Sequence, residues 1–530
     1  MGSGLLLILC FPGWNQGWLA WVAMAPLVVA VWFSAPPATE APVKTGKLAR
    51  LKAFFTRHRV GRGAVLGYVA GLVFFWGTFY WLTTVTGPGW FALAFYLALY
   101  PAVWGAYLAA LRPMAGDFTS SATNLRVATI GAAAWTALEW VRGWLFTGFG
   151  WNSLGVAFHN NLSFIQITEY TGVAGLTFLA AFANLILVIT IRRFVSEFHL
   201  HRFRPHWDFN VTMLLIAGTF IHGVRILLQP PAPDETPLRV AAIQPNIPQI
   251  EKFDPQFEQK IFEHLTRLTE FALAAEPQLL IWPEAATPRG MFADETNFLF
   301  VRGFATRGDY NFLLGSIDID PGKRAEFNIA ALLNQQGQQI QQYRKIHLVP
   351  FGEYVPFRHS FPLFAWMVGD LVPSDFTPGD QFVVMQLRNP DLKAATLICF
   401  EDTLGELTRR FVQGGAQFLV NVTNDGWFLE SAGSHQHLAN AVFRAVENRR
   451  PLLRSANTGV TAFVDARGRI LHKLTDERGS TFGEGYLVGT VPVPPADSPL
   501  TFYTRHGESF AKLCAVLAIV TLPLFRRKAA

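Results

Sequence analysis

Long apolar segments between Gly2 and Gln229 constrain the fold of this chain more than any other feature. Seven such segments precede Gln229, and an eighth lies near the C-terminus. A helix needs about 20 residues to cross the hydrocarbon core of a membrane, and only the first segment falls well short of that length. We therefore predict a multi-span α-helical membrane bundle. The predicted spans are residues 4–12, 17–34, 63–86, 89–111, 124–144, 170–191, 210–228 and 509–525.

Basic residues are concentrated in alternate loops between these spans. By the positive-inside rule, such loops face the cytoplasm. Eight spans then put both termini in the cytoplasm and the large segment between the seventh and eighth spans on the other side. The net charge of +6 thus has a topological explanation, and we predict no binding of nucleic acid. The basic residues are Lys44, Lys47, Arg50, Lys52, Arg57, Arg59, Arg62, Arg112, Arg126, Arg192, Arg193, Arg202, Arg204, Arg526, Arg527 and Lys528.

The polar part of the chain has a different pattern. After a Pro-rich linker at residues 229–234, short β-rich runs such as LRVAAIQ (238–244), QLLIWPE (278–284) and AATLICFED (394–402) alternate with helix-like stretches. Strands that alternate with helices are typical of a layered α/β fold. We predict three parts: transmembrane helices over residues 1–229, an α/β domain over 237–495 and a last transmembrane helix over 509–525.

The cysteines single out one candidate nucleophile. Cys10 and Cys514 fall inside apolar spans, so Cys399 is the only thiol of the polar part, and a disulfide framework is not expected. A lone thiol is either a buried small residue or a nucleophile. Glu284 and Cys399 each end a predicted strand, and Lys345 follows another, which brings a carboxylate, a thiol and an amine to the strand ends where functional residues cluster.

These residue types suit acyl transfer. Glu284 could take the proton of Cys399, and Lys345 together with the backbone N–H of Phe400 could stabilise an oxyanion. Glu353 could hold the Lys345 ammonium in place. On the simpler interpretation, Glu353 and Glu401 are ordinary loop and helix-start carboxylates, and Asp402 only favours a first helical turn. The sequence has neither an HExxH nor a paired CxxC motif, so no metal site is predicted.

Several motifs resemble a known enzyme family. WPE (282–284), the lysine of RKIHLVPFGEYVPF (344–357), LICFED (397–402), VTNDGWF (422–428) and residues 435–459 resemble the carbon–nitrogen hydrolase (nitrilase) superfamily. With RGWLFTGFGW (142–151) and the single final span, the whole chain resembles the membrane branch of that superfamily, the apolipoprotein N-acyltransferases.

This resemblance implies an αββα sandwich with a Glu284–Lys345–Cys399 triad and no cofactor. It implies a ping-pong reaction, in which Cys399 takes an acyl chain from a phospholipid, typically phosphatidylethanolamine. The α-amino group of the diacylglyceryl-cysteine of an apolipoprotein then accepts the chain. The implied location is the bacterial inner membrane, with the α/β domain in the periplasm. We expect a monomer, although the residues leave the oligomeric state open.

The resemblance also adds candidate site residues. Glu353 and Glu401 become candidates for the active site. Phe400 stands where the family often has Tyr, and its backbone N–H keeps the oxyanion role. Phe253 stands where the family often has Trp, and with Trp151 and Trp427 it is a candidate lipid or substrate contact.

Two other functions stay open on the sequence alone. A membrane-tethered amidase would carry the same triad and release its acyl group to water. A transporter or lipid-binding scaffold with an inactive domain belongs to another class, and the intact triad argues against it. A transporter should also show inverted repeats or broken charged spans, which the sequence lacks.

Overall fold

The computed structural model describes residues 1–523 apart from 35–46, 117, 202–203, 231–233, 321, 323–324, 359 and 361–373. The chain divides into two compact units. The helical unit consists of Met1–Thr83, Gly87–Leu227 and the chain from Glu508 onward. The sandwich unit consists of Thr84–Thr86 and Leu228–Gly507.

The helical unit has a helix in each of the eight predicted spans. Within the described part of the chain, four helical segments are long and apolar enough to cross a membrane, namely Arg59–Thr78, Gly87–Leu111, Val173–Leu200 and Trp207–Leu227, while Gly17–Phe33 and Ser509–Val520 are apolar but shorter. The helices are α1 Gly2–Leu9, α2 Ala25–Phe33, α3 Lys47–Arg57, α4 Arg59–Thr78, α5 Gly87–Leu97, α6 Leu99–Leu111, α7 Ser121–Arg142, α8 Leu162–Ile165, α9 Thr168–Thr171, α10 Val173–Leu200 and α11 Trp207–Leu227, with Ser509–Val520 following the sandwich unit. The topological residues Lys44, Arg202, Arg526, Arg527 and Lys528, and the end of the predicted eighth span (524–525), lie outside the described residues.

Small residues allow α4 and α6 to pack closely. A Cβ atom added to Gly63 would lie 2.3 Å from the carbonyl oxygen of Gly105, and one added to Gly67 would lie 2.0 Å from that of Pro101. Close approach of this kind is how helices associate in lipid, where burial of apolar surface gives no driving force.

The charges near the end of α7 bind the chain that follows the helix. Arg142 donates from Nη1 to the carbonyl oxygen of Trp151 at 2.8 Å, and Oε1 of Glu139 accepts from the backbone N–H of Leu154 at 2.9 Å. These bonds satisfy charged groups that are costly to bury. The Trp151 ring is buried against Trp81, with ring centroids 5.0 Å apart, so the structure places it in the interior of the helical unit.

In its described residues, the sandwich unit contains two six-stranded sheets with orders β12-β1-β2-β3-β4-β5 and β11-β10-β9-β8-β7-β6. The strands are β1 Thr236–Gln244, β2 Leu279–Trp282, β3 Asn311–Asp320, β4 Ala325–Leu333, β5 Gln339–Arg344, β6 Val384–Gln386, β7 Lys393–Ile398, β8 Phe418–Thr423, β9 Leu452–Ala456, β10 Ala462–Val464, β11 Ile470–Lys473 and β12 Gly485–Val493. The helices of this unit are α12 Glu258–Leu273, α13 Glu295–Ala305, α14 Gly405–Gln413, α15 Ala432–Asn448 and α16 Phe502–His506.

The sheets pack face to face with helices outside. The central strands β1–β3 and β7–β9 are parallel. The runs LLIW and FLVNVT are buried along their whole length, as expected for strands covered on both faces. Oγ of Ser455 donates to the carbonyl oxygen of Ile243 at 3.0 Å and so links the two sheets. Helices α12 and α13 form a hydrophobic core with the outer face of the sheet that contains β1. Helices α14 and α15 pack on the other sheet. The predicted αββα sandwich is confirmed.

Candidate active site

Three of the predicted site residues follow strand ends of the sandwich unit. Glu284 stands two residues after β2, Lys345 directly follows β5, and Cys399 directly follows β7. The backbone N–H of Lys345 donates to the carbonyl oxygen of Asn328 at 2.8 Å, which extends the β4–β5 ladder by one residue. The side chains of Glu284 and Lys345 meet in a buried ion pair.

The Lys345 ammonium lies between two carboxylates. Its Nζ is 2.8 Å from Oε1 of Glu353 and 3.6 Å from Oε1 of Glu284, and all three side chains are buried. Burial alone would lower the pKa of Lys345, but the charges of Glu353, Glu284 and Cys399 raise it above its usual value. The ammonium therefore stays charged at any physiological pH. Nδ2 of Asn328 donates to both carboxylates at 2.7 Å and keeps them side by side.

The turn that carries Glu284 is tightly packed against β3. A Cβ atom added to Gly315 would lie 2.5 Å from Cα of Glu284, so only glycine fits there. Ala285 has a positive φ of 44°, which non-glycine residues rarely adopt. The neighbouring main chain therefore determines where the carboxylate points.

Cys399 begins a short 3₁₀ helix, Cys399–Thr403, in a strained conformation with φ 51°. Strain of this kind persists where surrounding contacts enforce it. One such contact is the amide of Asn421, which donates to the carbonyl oxygen of Cys399 at 3.0 Å. Burial and the charge of Glu284 raise the pKa of the Cys399 thiol, while Lys345 and the hydroxyl of Thr423 lower it, with a net rise. At neutral pH the resting residue is thus a thiol, which needs a base before it can attack.

Glu401 connects the Lys345 loop to the Cys399 turn. Its Oε1 accepts from the hydroxyl of Tyr343 at 2.7 Å and from the N–H groups of Ile346 and His347 at 2.8 and 3.0 Å. Its Oε2 accepts from the N–H of Ile398 at 2.9 Å. Burial raises the pKa of Glu401 to about 7, although these bonds and Lys345 lower it. The contacts of Glu401 thus fix the Lys345 loop relative to the Cys399 turn.

Four buried charged residues lie behind the Cys399 turn and form what we call the charge cluster: Asp402, Asp425, His437 and Arg454. His437 places Nε2 2.8 Å from Asp402 and Nδ1 2.8 Å from Asp425. Arg454 pairs with both aspartates and donates to Oδ1 of Asn421 at 2.9 Å. Because Asn421 holds the Cys399 carbonyl, the cluster supports the backbone of the thiol.

The remaining predicted residues have different surroundings. Phe400 is buried and stacks on His347 with ring centroids 5.8 Å apart. Phe253 is exposed, Trp427 is half-buried in the 3₁₀ helix Asp425–Phe428, and Trp151 belongs to the helical unit. Within the described residues, no group of three or more His, Cys, Asp or Glu side chains could hold a metal ion.

Sequence reasoning missed three contributors to this site. Asn328 is a polar residue in the apolar run of β4, and that break in the pattern could have marked it. Lys252 is buried beside the Glu284 turn, where Nζ donates to the Glu284 carbonyl oxygen at 2.8 Å. Nothing local distinguishes Lys252 from a surface lysine. The third contributor is the charge cluster. Its members come from four separate elements, so no local sequence pattern marks them.

Comparisons with known proteins agree with this fold. Residues 3–186 match the family described as apolipoprotein N-acyltransferase N-terminal domain, and residues 239–494 match carbon-nitrogen hydrolase. The chain is 38% identical to the apolipoprotein N-acyltransferase of Geobacter metallireducens over 99% of its own length and 94% of the relative's. It is 30% identical to that of Nitrosomonas europaea over 97% and 99% of the two chains.

Among solved structures, the Saccharomyces cerevisiae nitrilase-superfamily protein Nit3 aligns with 48% of this chain and 90% of its own, at 16% identity and a TM-score of 0.37. With its two matched domains and its near full-length relatives, the chain belongs to the apolipoprotein N-acyltransferase family and is an acyltransferase of bacterial membranes.

Proposed function

We propose that this enzyme moves an acyl chain from a phospholipid, through a thioester on Cys399, to the α-amino group of the N-terminal diacylglyceryl-cysteine of an apolipoprotein. The observation that carries the proposal is the Lys345 ammonium, which lies between Glu284 and Glu353 and couples electrostatically to Cys399. The names of the relatives support lipoprotein N-acylation as the overall reaction.

In the first half-reaction, Glu284 takes the proton of the Cys399 thiol as sulfur attacks the ester carbonyl carbon. This order follows from the raised pKa of the thiol, which leaves no resting thiolate. Lys345 and the N–H of Phe400 stabilise the tetrahedral oxyanion. The C–O bond of the ester then breaks, Glu284 returns the proton to the glycerol oxygen, and a lysophospholipid leaves.

In the second half-reaction, the neutral α-amino group of the apolipoprotein attacks the thioester. Glu284 accepts a proton from the nitrogen, the C–S bond breaks, and the proton passes to the Cys399 sulfur. The products are an amide and the original thiol, so no cofactor or oxidant is required. An α-amino group ordinarily titrates at a pKa of about 8, and a useful fraction is therefore neutral at physiological pH.

Exposed apolar side chains favour a lipid substrate over a water-soluble amide. Ile250 is 89% exposed, Phe357 65% and Leu429 60%, and Phe253 is also exposed. They belong to the loops that follow β1, β5 and β8, the same connections that carry Lys252, Glu353 and Asp425. Soluble proteins rarely leave several large apolar groups exposed in one region, whereas a protein that takes a lipid has a use for them.

The topology is part of the same proposal. We propose a multi-pass protein of the inner membrane with the sandwich unit in the periplasm and both termini in the cytoplasm. The alternation of basic loops supports this orientation. A reporter that works only in the cytoplasm should be active when it is fused after Ala530. A reporter that works only in the periplasm should be active when it is inserted at the exposed turn of Gly479.

The deciding experiment is the intact mass of the purified protein after incubation with phosphatidylethanolamine. The wild type should gain one acyl chain that hydroxylamine removes, whereas Cys399→Ala should gain none. A variant that combines Cys10→Ser with Cys514→Ser should behave as the wild type, because both thiols lie in the helical unit.

The acceptor separates transfer from hydrolysis. Addition of a diacylated lipopeptide should discharge the adduct and yield a triacylated peptide. If free fatty acid accumulates at the same rate with and without the lipopeptide, the enzyme is an amidase-like hydrolase and the proposal is wrong. An acyl adduct on Cys399→Ala would also overturn it.

A further inference from the structure

Lys252 is a buried lysine that the mechanism above does not use. Its side chain is 1% exposed, and its ammonium donates to the carbonyl oxygen of Glu284 at 2.8 Å. Burial of a charge is costly unless partners compensate for it. A lysine in such a place therefore calls for a role in the site, since an apolar residue would fill the same space at lower cost.

The loop that carries Lys252 is tied to two other loops of the site. Oε1 of Gln249 accepts from the amide of Asn424 at 2.6 Å, and the carbonyl oxygen of Ile247 accepts from the amide of Asn457 at 2.9 Å. Asn424 follows β8 and Asn457 follows β9. The position of Lys252 is thus defined by the C-terminal ends of β8 and β9, two strands that also position Asp425 and Arg454 of the charge cluster.

Among the described residues, the groups whose charges act on Lys252 are Glu284, after β2, and Cys399, after β7. Burial lowers the pKa of Lys252 to about 8, and the charges of Glu284 and Cys399 partly oppose that shift. The residue is therefore still mostly an ammonium at pH 7. Lys345 is paired with carboxylates, whereas the hydrogen bond of Lys252 goes to a carbonyl oxygen. The charge of Lys252 interacts with both Glu284 and Cys399, so it can act on an anion that forms on Cys399.

We propose that Lys252 is a second ammonium of the active site, which holds the main chain of Glu284 and stabilises the thiolate that forms on Cys399. It is a positioning residue, because it acts through Glu284 and through its charge. The catalytic meaning of this role rests on the proposed function, but the effect on the thiol can be measured without any acyl transfer.

The test is the rate at which iodoacetamide alkylates Cys399 as a function of pH. The full-length protein with Cys10→Ser and Cys514→Ser has Cys399 as its single thiol. Removal of the charge by Lys252→Met should slow alkylation at neutral pH by about 3- to 10-fold, as expected for loss of a nearby opposite charge. Lys252→Arg should keep most of the reactivity because arginine remains charged.

The shape of the pH profile is the second readout. In the wild type, the rate should rise less steeply above about pH 8, where Lys252 loses its charge. Both Lys252→Met and Lys252→Arg should show a smaller change of slope than the wild type, because Lys252 no longer contributes while His437, whose pKa is also about 8, still titrates there. A purely structural role of Lys252 would leave the change of slope as it is in the wild type. If Lys252→Met fails to fold, the profile of Lys252→Arg still decides the question.

Lys393→Met is the matched control. Lys393 is exposed at the start of β7, the strand whose other end carries Cys399. This variant should show the wild-type profile. Identical profiles for Lys252→Met and the wild type would overturn the proposal, as would equal slowing by Lys393→Met. Normal alkylation without any acyl adduct from phosphatidylethanolamine would instead count against the proposed function and leave the result on Lys252 valid.

Discussion

The ammonium of Lys345 lies 2.8 Å from Oε1 of Glu353, a contact made within one loop, eight residues apart in the chain. Glu284 is 0.8 Å farther from the same nitrogen, at 3.6 Å against 2.8 Å. Glu353 therefore makes the stronger electrostatic interaction with the Lys345 ammonium. This arrangement leaves Glu284 less strongly bound to the ammonium, as its proposed role as a base requires.

Glu353→Gln should slow acylation of Cys399 by about 10- to 100-fold, the range expected when general-base catalysis is impaired. Without the Glu353 charge, Glu284 becomes the main counter-ion of Lys345 and loses basicity. The rate of acyl-enzyme formation by quenched intact-mass measurement checks this. Glu263→Gln, at an exposed site on α12, is the control. An unchanged rate in Glu353→Gln would show that Glu353 does not control Glu284.

Gly315→Ala should displace Glu284 and reduce activity while the protein still folds. The added Cβ would meet backbone atoms, Cα of Glu284 at 2.5 Å and the carbonyl oxygen of Pro283 at 2.7 Å, which cannot rotate away. Overpacking of this kind costs about 1–3 kcal/mol of stability. Gly303→Ala is the matched control, because Gly303 lies on α13 with open space around it. Wild-type acylation by Gly315→Ala would mean that the Glu284 turn tolerates movement.

Glu401→Gln should impair acylation more than its small change in shape suggests. The carboxylate accepts four hydrogen bonds with its two oxygens, and a glutamine places an NH₂ group against at least one backbone N–H donor. A buried donor left without a partner costs about 1–3 kcal/mol. Tyr343→Phe removes only one of the four bonds and should have a smaller effect on the acylation rate. If the two variants were equal, the backbone bonds of Glu401 would contribute little.

The three triad candidates could be predicted because their signals are local. Glu284 and Cys399 each follow an apolar run that forms a parallel strand, β2 in one sheet and β7 in the other, and functional residues cluster at the C-terminal ends of such strands. The contacts of Asn328 with Glu284 and Glu353 depend instead on the register of β4 beside β3. That register is a property of the folded sheet and has no local signal.

The role of Asp402 shows the same limit. The sequence assigns it only to the first turn of a helix, which is where it lies. In the structure it also pairs with Arg454 and His437, which are 52 and 35 residues farther along the chain by their numbers. Because Asp402 is buried, its charge must be compensated by other residues. Only the tertiary structure shows that these residues are His437 and Arg454.

His437 should make the stability of the sandwich unit depend on pH. Burial and Arg454 lower the pKa of His437, but Asp402 and Asp425 raise it by more, so that the net pKa is about 8. The usual value for histidine is about 6.5, so the folded state binds the proton more tightly than the unfolded state. The resulting stabilisation, about 2 kcal/mol from the difference between these values, is fully present below about pH 6.5 and is lost as the pH rises through about 8.

Hydrogen–deuterium exchange of peptides from β7, β8 and β9 can measure this local stability, since one melting temperature is poorly defined for a protein of two units. His437→Gln should weaken protection strongly at about pH 6 and much less at about pH 9, where the wild-type histidine is neutral as well. Glu401 also titrates in this range, but it is present in both proteins and its effect cancels in the comparison.

His472→Gln, on β11 of the same sheet, should differ little from the wild type at either pH. Equal loss of protection by His437→Gln at both pH values would mean that the stabilising interactions of His437 do not require its proton.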